Sequence, residues 1–330
     1  MHAHMHDPES ADIDNAEGRR QDRLHRHDDP SRPERAGLLA EDPARVPERR
    51  SMNRTVDGPQ AGETTPQIRF PQPEYDPDRP NPARMYDYYL GGKDNTSADR
   101  KAAEEAIKRV PDLRLIAREN RKFLQRTVRY LRAVGIRQII DIGAGLPTLT
   151  NTHQVAQKRA PKTRVVYVDN DPLVLANGHA LLATNDRTTI IQADLRDPDG
   201  IIGHPELKKL IDWEEPVGVL AVAVLHFVRD DEGPYESVAK LRAAMAPGSY
   251  LVLSHAELNQ QTQHAAKVYD EASAPGVPRA QEEIERFFSG FQLVRPGLVP
   301  VSTWRRPGYR ALEIPFLGGV GRKPEEVCHG

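Results

Sequence analysis

The sequence predicts an α/β fold with a doubly wound, mostly parallel β-sheet. Short apolar runs rich in β-branched residues alternate with helical stretches, and a glycine-rich turn follows the first run. Such runs are typical of strands that are buried on both faces of a sheet. Strands connected by helices form parallel sheets with right-handed crossovers. The predicted strands span residues 136–142, 163–168, 189–193, 217–225 and 250–254.

Segments with helical spacing lie between these strands, and a further such segment follows the fifth strand. Pro172 and Pro234 suit the first turn of a helix, where proline costs no hydrogen bond. Phe291–Val294 and Tyr309–Ile314 are expected to close the sheet as an edge hairpin, which gives about seven strands with the last one antiparallel. The predicted helices span residues 150–159, 172–183, 205–211, 234–245 and 281–288.

Residues 1–69 are expected to form a disordered polar tail. No Phe, Trp or Tyr precedes Phe70, and the segment is rich in Asp, Glu, Arg, Pro and His. Such a composition buries too little apolar surface to offset the entropy of ordering the chain. Its histidines offer a weak metal site as the alternative, but no metal site is predicted. An alternative start at Met52 is a further hypothesis.

Residues 70–134 are predicted to form an N-terminal helical cap or lid, which precedes a core domain over residues 135–330. The cap opens with a proline-rich extended stretch. A first helix starts near Ala83 and ends at Gly91-Gly92, which is a helix-stop signal. Two further helices are predicted over residues 99–110 and 115–133.

The composition favours a soluble, cytoplasmic protein. The net charge is -2, so no basic field predicts nucleic acid or an anionic membrane as a partner. The single cysteine, Cys328, excludes an intramolecular disulfide and a four-cysteine zinc site. No signal-peptide pattern opens the chain, and no apolar run approaches the roughly 20 residues that span a bilayer.

The strongest candidate for chemistry is the turn after the first strand. Asp141 lies at the end of the strand, and Gly143, Ala144 and Gly145 lead from it to a helix. Glycine lets the backbone adopt positive φ and approach a ligand closely. Because doubly wound sheets bind ligands at the carboxyl ends of their strands, the turn predicts a nucleotide-type site. An ordinary tight turn is the alternative.

Acidic residues at the next two strand ends strengthen this interpretation. Asp169 ends the second strand and can accept hydrogen bonds from both ribose hydroxyls. Asp194 follows the third strand and can accept the amino hydrogens of adenine. Their neighbours Asn170 and Leu195 are candidate cofactor contacts as well. Helix capping is the alternative role of each carboxylate.

These residues favour S-adenosylmethionine over NAD as the ligand. A dinucleotide fingerprint has a third glycine three residues after Gly145, where this sequence has Thr148. Pro147 removes a backbone N–H that a pyrophosphate would use. Asp141 would repel a pyrophosphate but suits the cationic amino group of a methionine moiety.

Five motifs, spread from about Phe70 to the end of the chain, resemble those of a known family. They are residues 81–95 (NPARMYDYYLGGKDN), 141–148 (DIGAGLPT), 166–172 (VYVDNDP), 223–227 (AVLHF) and 318–323 (GGVGRK). The family is that of the actinobacterial S-adenosyl methyltransferases, long catalogued as a domain of unknown function. The resemblance implies a Rossmann-like class I methyltransferase fold and bound S-adenosylmethionine, and it leaves the methyl acceptor open.

The sequence departs from the family pattern at two places. Ala144 stands where threonine is expected, and Thr96-Ser97 stands where an aromatic residue is usual. The second departure is expected to alter the acceptor pocket.

His226 and Tyr86 are the candidate catalytic residues. The fourth strand end faces the methyl group in class I methyltransferases, so His226 is predicted to position the acceptor or remove its proton. Tyr86 belongs to an aromatic cluster, residues 86–89, that is predicted to cover the sulfonium as a lid. Structural roles are the alternatives for both. Arg121 is predicted to bind the methionine carboxylate, with an exposed, charged helix face as the alternative. His255 is a second candidate base.

The predicted function is methyl transfer from S-adenosylmethionine to a small molecule. An in-line displacement relies mostly on alignment, so a conspicuous base is not required. A catalytically silent protein that binds or senses the cofactor is the alternative, since fold does not fix function. NAD-dependent redox chemistry is a third, weaker hypothesis. The acceptor, the atom that is methylated and the oligomeric state are left open.

Overall fold

The computed structural model describes residues 74–148, 150–181 and 185–325, which belong to one compact unit. The predicted polar tail and Cys328 lie outside the described residues. No helix in these three ranges is both long and apolar enough to cross a membrane. The α-helices are α1 (Pro82–Leu90), α2 (Ser97–Arg109), α3 (Leu113–Ala133), α4 (Thr152–Gln157), α5 (Pro172–Leu181), α6 (Pro198–Gly203), α7 (Pro205–Lys208), α8 (Pro234–Ala244), α9 (Gln260–Tyr269) and α10 (Gln281–Arg286). The strands are β1 (Gln138–Ile142), β2 (Arg164–Asp169), β3 (Thr188–Gln192), β4 (Gly218–Val222), β5 (Tyr250–Ala256), β6 (Gln292–Leu293), β7 (Val299–Pro300) and β8 (Phe316–Arg322).

The strands form one sheet in the order β3-β2-β1-β4-β5-β8-β6, and β7 also pairs with β8. Strands β1 to β5 run parallel, whereas β8 pairs antiparallel with β5. The prediction of a doubly wound, mostly parallel sheet with an antiparallel closing strand is confirmed. Strand β6 lies within the predicted strand Phe291–Val294, and the sheet has eight strands rather than seven because the short strand β7 also pairs with β8. The strand order reverses between β1 and β4, which opens a crevice at that edge.

Helices cover both faces of the sheet. Ile139 belongs to one apolar layer and its neighbour Ile140 belongs to the other, because successive side chains of a strand point to opposite faces. One layer contains side chains of α3, α4 and α5, and the other contains side chains of α6, α7, α8 and α10. Since both faces are packed, the carboxyl edge of the strands is the place left for a ligand.

The last strand differs from the prediction. The predicted strand Tyr309–Ile314 is wrong, because those residues are irregular and the antiparallel strand is β8. Strand β8 contains three glycines. Because glycine is depleted in strands, the composition of this segment does not predict a strand. The packing nevertheless requires glycine: a Cβ on Gly318 would lie only 2.8 Å from Cζ of Phe123 on α3.

Other element boundaries differ for local reasons. Strand β4 ends at Val222, three residues before the predicted end, because Ala223 adopts a φ of 60°. A 3-10 turn, Leu225–Phe227, follows it and carries the chain away from the sheet. Helices α6 and α9 were not predicted, because α6 has only six residues and α9 is polar, with Ala265 as its buried residue.

Helix α1 is fixed both to α2 and to the edge of the sheet. The side chain of Asn81 caps α1 by accepting from the backbone N–H groups of Ala83 and Arg84. Its Nδ2 also donates to Oδ2 of Asp171, just after β2, at 2.6 Å. Arg84 Nε donates to Asp99 Oδ2 at 2.7 Å in a buried ion pair, which is costly to break because the remaining charge has no partner. The division of the chain into cap and core domains stays a prediction.

Replacing Gly318 with alanine tests the close packing of β8. We expect Gly318→Ala to lower the free energy of unfolding by about 1–3 kcal/mol, because the new methyl group overpacks the layer beside Phe123. Urea denaturation measures this change. Gly203→Ala is the control, since a Cβ at Gly203 would meet no atom within 4 Å outside its own helix. It should not destabilise the protein, because alanine is favoured over glycine in a helix by up to about 1 kcal/mol. Equal stability of the two variants would contradict the packing argument.

Candidate functional site

A cavity of about 310 Å³, here called the main cavity, opens at the carboxyl ends of β1 to β4. Its other walls come from α1 and α3, from the turn after β4 and from residues 273–275. This is the position at which doubly wound sheets bind ligands, and the volume falls in the range of small-molecule sites. His226 does not line it. The structure does bring together here the other predicted site residues: Tyr86, Arg121, Asp141, Gly143, Ala144, Gly145, Asp169, Asn170, Asp194 and Leu195.

The glycines of the β1 turn have different reasons to be glycine. Gly143 and Gly145 have φ values of 68° and 65°, a region that favours glycine. A Cβ on Gly143 would lie 2.5 Å from Val224 Cγ2, whereas a Cβ on Gly145 would meet nothing within 4 Å. The N–H of Gly143 donates to the carbonyl of Val168 at 2.8 Å, which fixes the turn to β2. Gly143 is therefore needed for packing, and Gly145 exposes backbone to the cavity.

Asp141 and Asp169 are buried carboxylates with few hydrogen-bond donors. Thr152 Oγ1 donates to Asp141 at 2.6 Å. The N–H groups of Gly145 and Asp171 donate to Asp169 at 2.9 and 3.0 Å, and the backbone of Asn170 contributes a further hydrogen bond. A carboxylate has about four lone-pair sites, so each keeps acceptor capacity. Burial raises the pKa of each carboxyl to about 6. A ligand that donates hydrogens or carries positive charge would stabilise their ionised forms.

Asp194 is surrounded by donors instead. Arg196 donates to it from its backbone N–H, Nε and Nη2 at 2.9, 2.9 and 2.7 Å. Asn170 Nδ2 donates at 2.9 Å, and these four bonds occupy its lone-pair sites. Burial raises the pKa of Asp194, but the bonds from Arg196 and Asn170 outweigh burial and hold that pKa below its ordinary value. An adenine amino group would have to displace one of these donors, so the predicted contact stays a prediction.

Arg121 of α3 lies beside the glycine turn. Its Nη2 donates to Thr148 Oγ1 at 2.5 Å and to the carbonyl of Thr150 at 3.1 Å. Its charge also opposes the effect of burial on the pKa of Asp141. A cation therefore lies at the β1 end of the main cavity. Its predicted contact with the methionine carboxylate stays a prediction.

Among the three tyrosines of α1, Tyr86 is the one that lines the main cavity. The hydroxyls of Tyr88 and Tyr89 bond to side chains of α2 and α9 instead. Tyr86 donates to the carbonyl of Ala117 at 3.1 Å and accepts from Asn120 Nδ2 at 3.0 Å. Burial raises the pKa of Tyr86. Its hydroxyl is therefore a protonated, fully engaged group, and its ring is the part that is available to a ligand.

His226 lies in the 3-10 turn after β4 and lines a second cavity of about 100 Å³. The side chain is 8% exposed, and its Nδ1 has no hydrogen-bond partner among the described residues. Burial, with the positive charge of Arg279 and the ring of His255 nearby, holds the pKa of His226 well below its usual range. The ring is therefore neutral. Its predicted catalytic role stays a prediction, and it would act from the second cavity.

His255 is held by hydrogen bonds at both ring nitrogens. Its Nδ1 donates to the carbonyl of Ala256 at 2.8 Å, and Arg279 Nη1 donates to its Nε2 at 3.0 Å. Burial lowers the pKa of His255 to about 3. Arg279 also donates to the carbonyl of Leu225 at 3.1 Å. His255 and Arg279 thus connect the turn that contains His226 to β5. Neither ring nitrogen of His255 is available for proton transfer.

Sequence reasoning missed three residues that shape the junction of the two cavities. Ala223 has a φ of 60°, which is unusual for a residue with a Cβ and typical of strain kept at functional sites. Ser254 Oγ accepts from the N–H of Ala223 at 3.1 Å and donates to Asn120 Oδ1 at 2.7 Å. Phe227 lines both cavities. Nothing in these residue types marks them, because their roles arise from contacts between distant segments.

The strand order and the cavity at the point where it reverses define a Rossmann-like protein with a site for a nucleoside-type ligand. Residues 69–324 match the sequence model of the S-adenosyl methyltransferase family. The chain therefore belongs to this family, and its cofactor is S-adenosylmethionine. The predicted family and cofactor are both confirmed.

Two solved structures are similar to this chain over most of its length. A candidate methyltransferase from Thermobifida fusca is 41% identical, with a TM-score of 0.72, over 78% of this chain and 98% of its own. A protein of the DUF574 family from Streptomyces avermitilis is 39% identical, with a TM-score of 0.72, over 76% of this chain and 99% of its own. No curated protein matches the sequence.

The donors and acceptors of the main cavity fit this cofactor. S-adenosylmethionine carries an ammonium, a sulfonium and two ribose hydroxyls, and buried carboxylates with free lone pairs suit all of these groups. Asp141 and Asp169 are such carboxylates. Arg121 is a cation of the kind that pairs with a carboxylate, and it lines the same cavity.

The raised pKa values of Asp141 and Asp169 predict a pH dependence of cofactor binding. We expect the affinity for S-adenosylmethionine to fall as the pH drops through about 6, since protonation removes the negative charge. The fall should approach about tenfold per pH unit for each carboxylate that must ionise. Calorimetric titrations between pH 5 and 8 measure it, and Asp141→Asn should make the dependence shallower. An affinity that is constant from pH 5 to 7 would contradict this coupling between the ionisation of the two carboxylates and cofactor binding.

The stability of the ligand-free protein should show the opposite trend. The pKa values of Asp141 and Asp169 in the folded state, about 6, lie above the ordinary value of 3.8. The folded state therefore binds more protons than the unfolded state between these values. Linkage then requires the contribution of these groups to stability to be lost as the pH rises from about 4 to 6. Asp141→Asn should reduce this loss in thermal melts.

Proposed function

We propose that the protein transfers a methyl group from S-adenosylmethionine to a small molecule. The observation that carries the proposal is the pair of buried, under-bonded carboxylates, Asp141 and Asp169, in the main cavity of a chain from this family. Asp141 accepts from the ammonium group of the cofactor, and Asp169 accepts from its ribose hydroxyls. Arg121 pairs with the methionine carboxylate, and the backbone at Gly145 allows the cofactor to approach.

The adenine end of the cofactor lies beside the residues that follow β2 and β3. Leu195 and Ala144 supply apolar contact, and Asn170 with Asp194 forms the polar edge. Since donors of Arg196 and Asn170 already occupy the lone pairs of Asp194, the main role of this carboxylate is to hold the polar edge in place. An adenine amino group reaches Asp194 by replacing the amide of Asn170.

The chemistry that the cofactor supplies is an electrophilic methyl group, and the protein supplies alignment and exclusion of water. The ring of Tyr86 lies at the boundary of both cavities and suits a sulfonium through a cation–π contact. Helices α1 to α3 act as the lid, held in place by Asn81 and by the Arg84–Asp99 ion pair. The neutral ring of His226 accepts or orients the proton of the acceptor from the second cavity.

Asp169→Ala tests the cofactor site. We expect the affinity for S-adenosylmethionine to fall about 100-fold or more, because hydrogen bonds to a charged group contribute about 1.5–3 kcal/mol each and two are lost. Calorimetry measures it. Asp197→Ala is the matched control, since Asp197 caps α6 and does not line the main cavity; its affinity should match the unmodified protein. Unchanged binding by Asp169→Ala would show that the ribose contact is misassigned.

Turnover separates an enzyme from a protein that only binds the cofactor. We expect the protein, incubated with methyl-labelled S-adenosylmethionine and separately with the small-molecule and macromolecule fractions of a host extract, to form a labelled product in the small-molecule fraction, which mass spectrometry identifies. Asp169→Ala should abolish the label. Tight cofactor binding without any labelled product, in fractions that cover small molecules and macromolecules, would favour the silent cofactor-binding alternative.

A further inference from the structure

The second cavity differs from the main cavity in its chemistry. Its described walls come from α1, α3 and α9 and from the segments after β4 and β5. The described residues that line it include no Asp, Glu, Lys or Arg. Aromatic rings form much of its surface: Tyr86, Tyr89, Phe227, Tyr269 and Phe316. A charged ligand would lose its hydration there without gaining an opposite charge, so the cavity favours a neutral, largely apolar molecule.

The two cavities are neighbours. Five residues line both of them: Pro82, Tyr86, Asn120, Ala223 and Phe227. A molecule in the second cavity therefore lies next to the ligand of the main cavity. The strained backbone of Ala223 is part of this shared wall, and it is held by Ser254 at the end of β5.

His226 is the polar feature of the second cavity that lacks a partner. Its Nδ1 is buried and has no hydrogen bond within the described residues, whereas buried polar groups in proteins nearly always have one. The N–H of Val277 donates to the carbonyl of His226 at 2.8 Å, which fixes the backbone at this position. The ring contacts Phe227 and Phe316 edge to face. Because Nδ1 itself has almost no accessible surface, a ligand in the cavity first meets the ring of His226, and a turn of this ring brings the nitrogen to a hydrogen-bonding group of the ligand.

A hydroxyl group meets this requirement in either tautomer of the ring. It donates if Nδ1 is unprotonated and accepts if Nδ1 carries the hydrogen. A carboxylate satisfies only the second case and would bring a charge into an uncharged cavity. An ether satisfies only the second case as well, without the charge.

We propose that the second cavity binds the methyl acceptor, and that this acceptor is a neutral aromatic compound whose hydroxyl bonds to His226 Nδ1. The identification as acceptor rests on the proposed function, whereas the class of ligand follows from the cavity itself. Aromatic rings pack edge to face against the rings of the wall, and the hydroxyl satisfies the buried nitrogen.

Binding of three related probes to the full chain tests the class of ligand. The probes are 2-naphthol, 2-methylnaphthalene, which has a similar shape but no hydrogen-bonding group, and 2-naphthoate, which is charged. We expect calorimetry to show 2-naphthol binding at least tenfold more tightly than either of the others. Equal binding of 2-naphthoate, or no binding of 2-naphthol, would overturn the proposal.

Variants locate the probe. Ala266 of α9 lines the second cavity and not the main one, so Ala266→Leu and Ala266→Phe should weaken 2-naphthol progressively. His226→Phe keeps an aromatic ring without the nitrogen and should remove the preference for 2-naphthol over 2-methylnaphthalene. Thermal melts and binding of S-adenosylmethionine verify that each variant is folded. A folded Ala266→Phe variant with undiminished 2-naphthol binding, or a retained preference in His226→Phe, would refute the assignment.

Asp169→Ala separates failure of this inference from failure of the proposed function. The variant should lose S-adenosylmethionine and retain 2-naphthol, since Asp169 does not line the second cavity. Loss of both ligands by the folded variant would put the probe in the main cavity and overturn the inference. The proposed function fails on a different result, which is absence of cofactor binding or turnover in the unmodified protein.

Discussion

The burial of Asp141 and Asp169 at adjacent strand ends, each with lone pairs left over, is the constraint on which the site depends. Strands β1 and β2 pair in parallel, with Asp141 opposite Tyr167, so both carboxylates emerge at the same edge of the sheet. The N–H of Gly145 reaches Asp169 only because the turn passes through positive φ. A cationic, hydrogen-donating ligand relieves the cost of holding these groups ionised, which links the fold directly to its cofactor.

A second constraint fixes the position of helix α1 over the carboxyl edge of the sheet. Asn81 connects the start of α1 to Asp171 after β2, and Arg84 connects α1 to Asp99 in α2. Asp87 accepts from the N–H of Asp94, which holds the loop between the two helices. Much of the motif over residues 81–95 is therefore explained by the docking of α1. The ring of Tyr86 reaches the main cavity as a consequence of that docking.

The sequence was sufficient for features that are local, and insufficient for those that distant contacts create. The β1 turn and the carboxylates at the ends of β2 and β3 could be predicted because hydropathy shows where these strands end. Strand β8 was misplaced because its glycines are explained only by Phe123 and its neighbours packing against them. The predicted place of His226 at the methyl donor assumed that β4 continued to Leu225. The positive φ of Ala223 redirects the chain before that, and residue type alone gives no sign of it.

Charge is segregated between the two cavities, and this has a consequence for specificity. The main cavity contains Asp141, Asp169, Asp194 and Arg121, whereas the described wall of the second has no ionised side chain. Arg279, a buried cation close enough to lower the pKa of His226, does not line the second cavity and instead pairs with Asp230 at 2.7 Å and donates to His255. The ionised side chains thus surround the main cavity, where they suit a cationic cofactor, and do not line the second cavity. Selection in the second cavity then depends on the cost of desolvation, which rejects charged molecules, and on one nitrogen, which favours a hydroxyl.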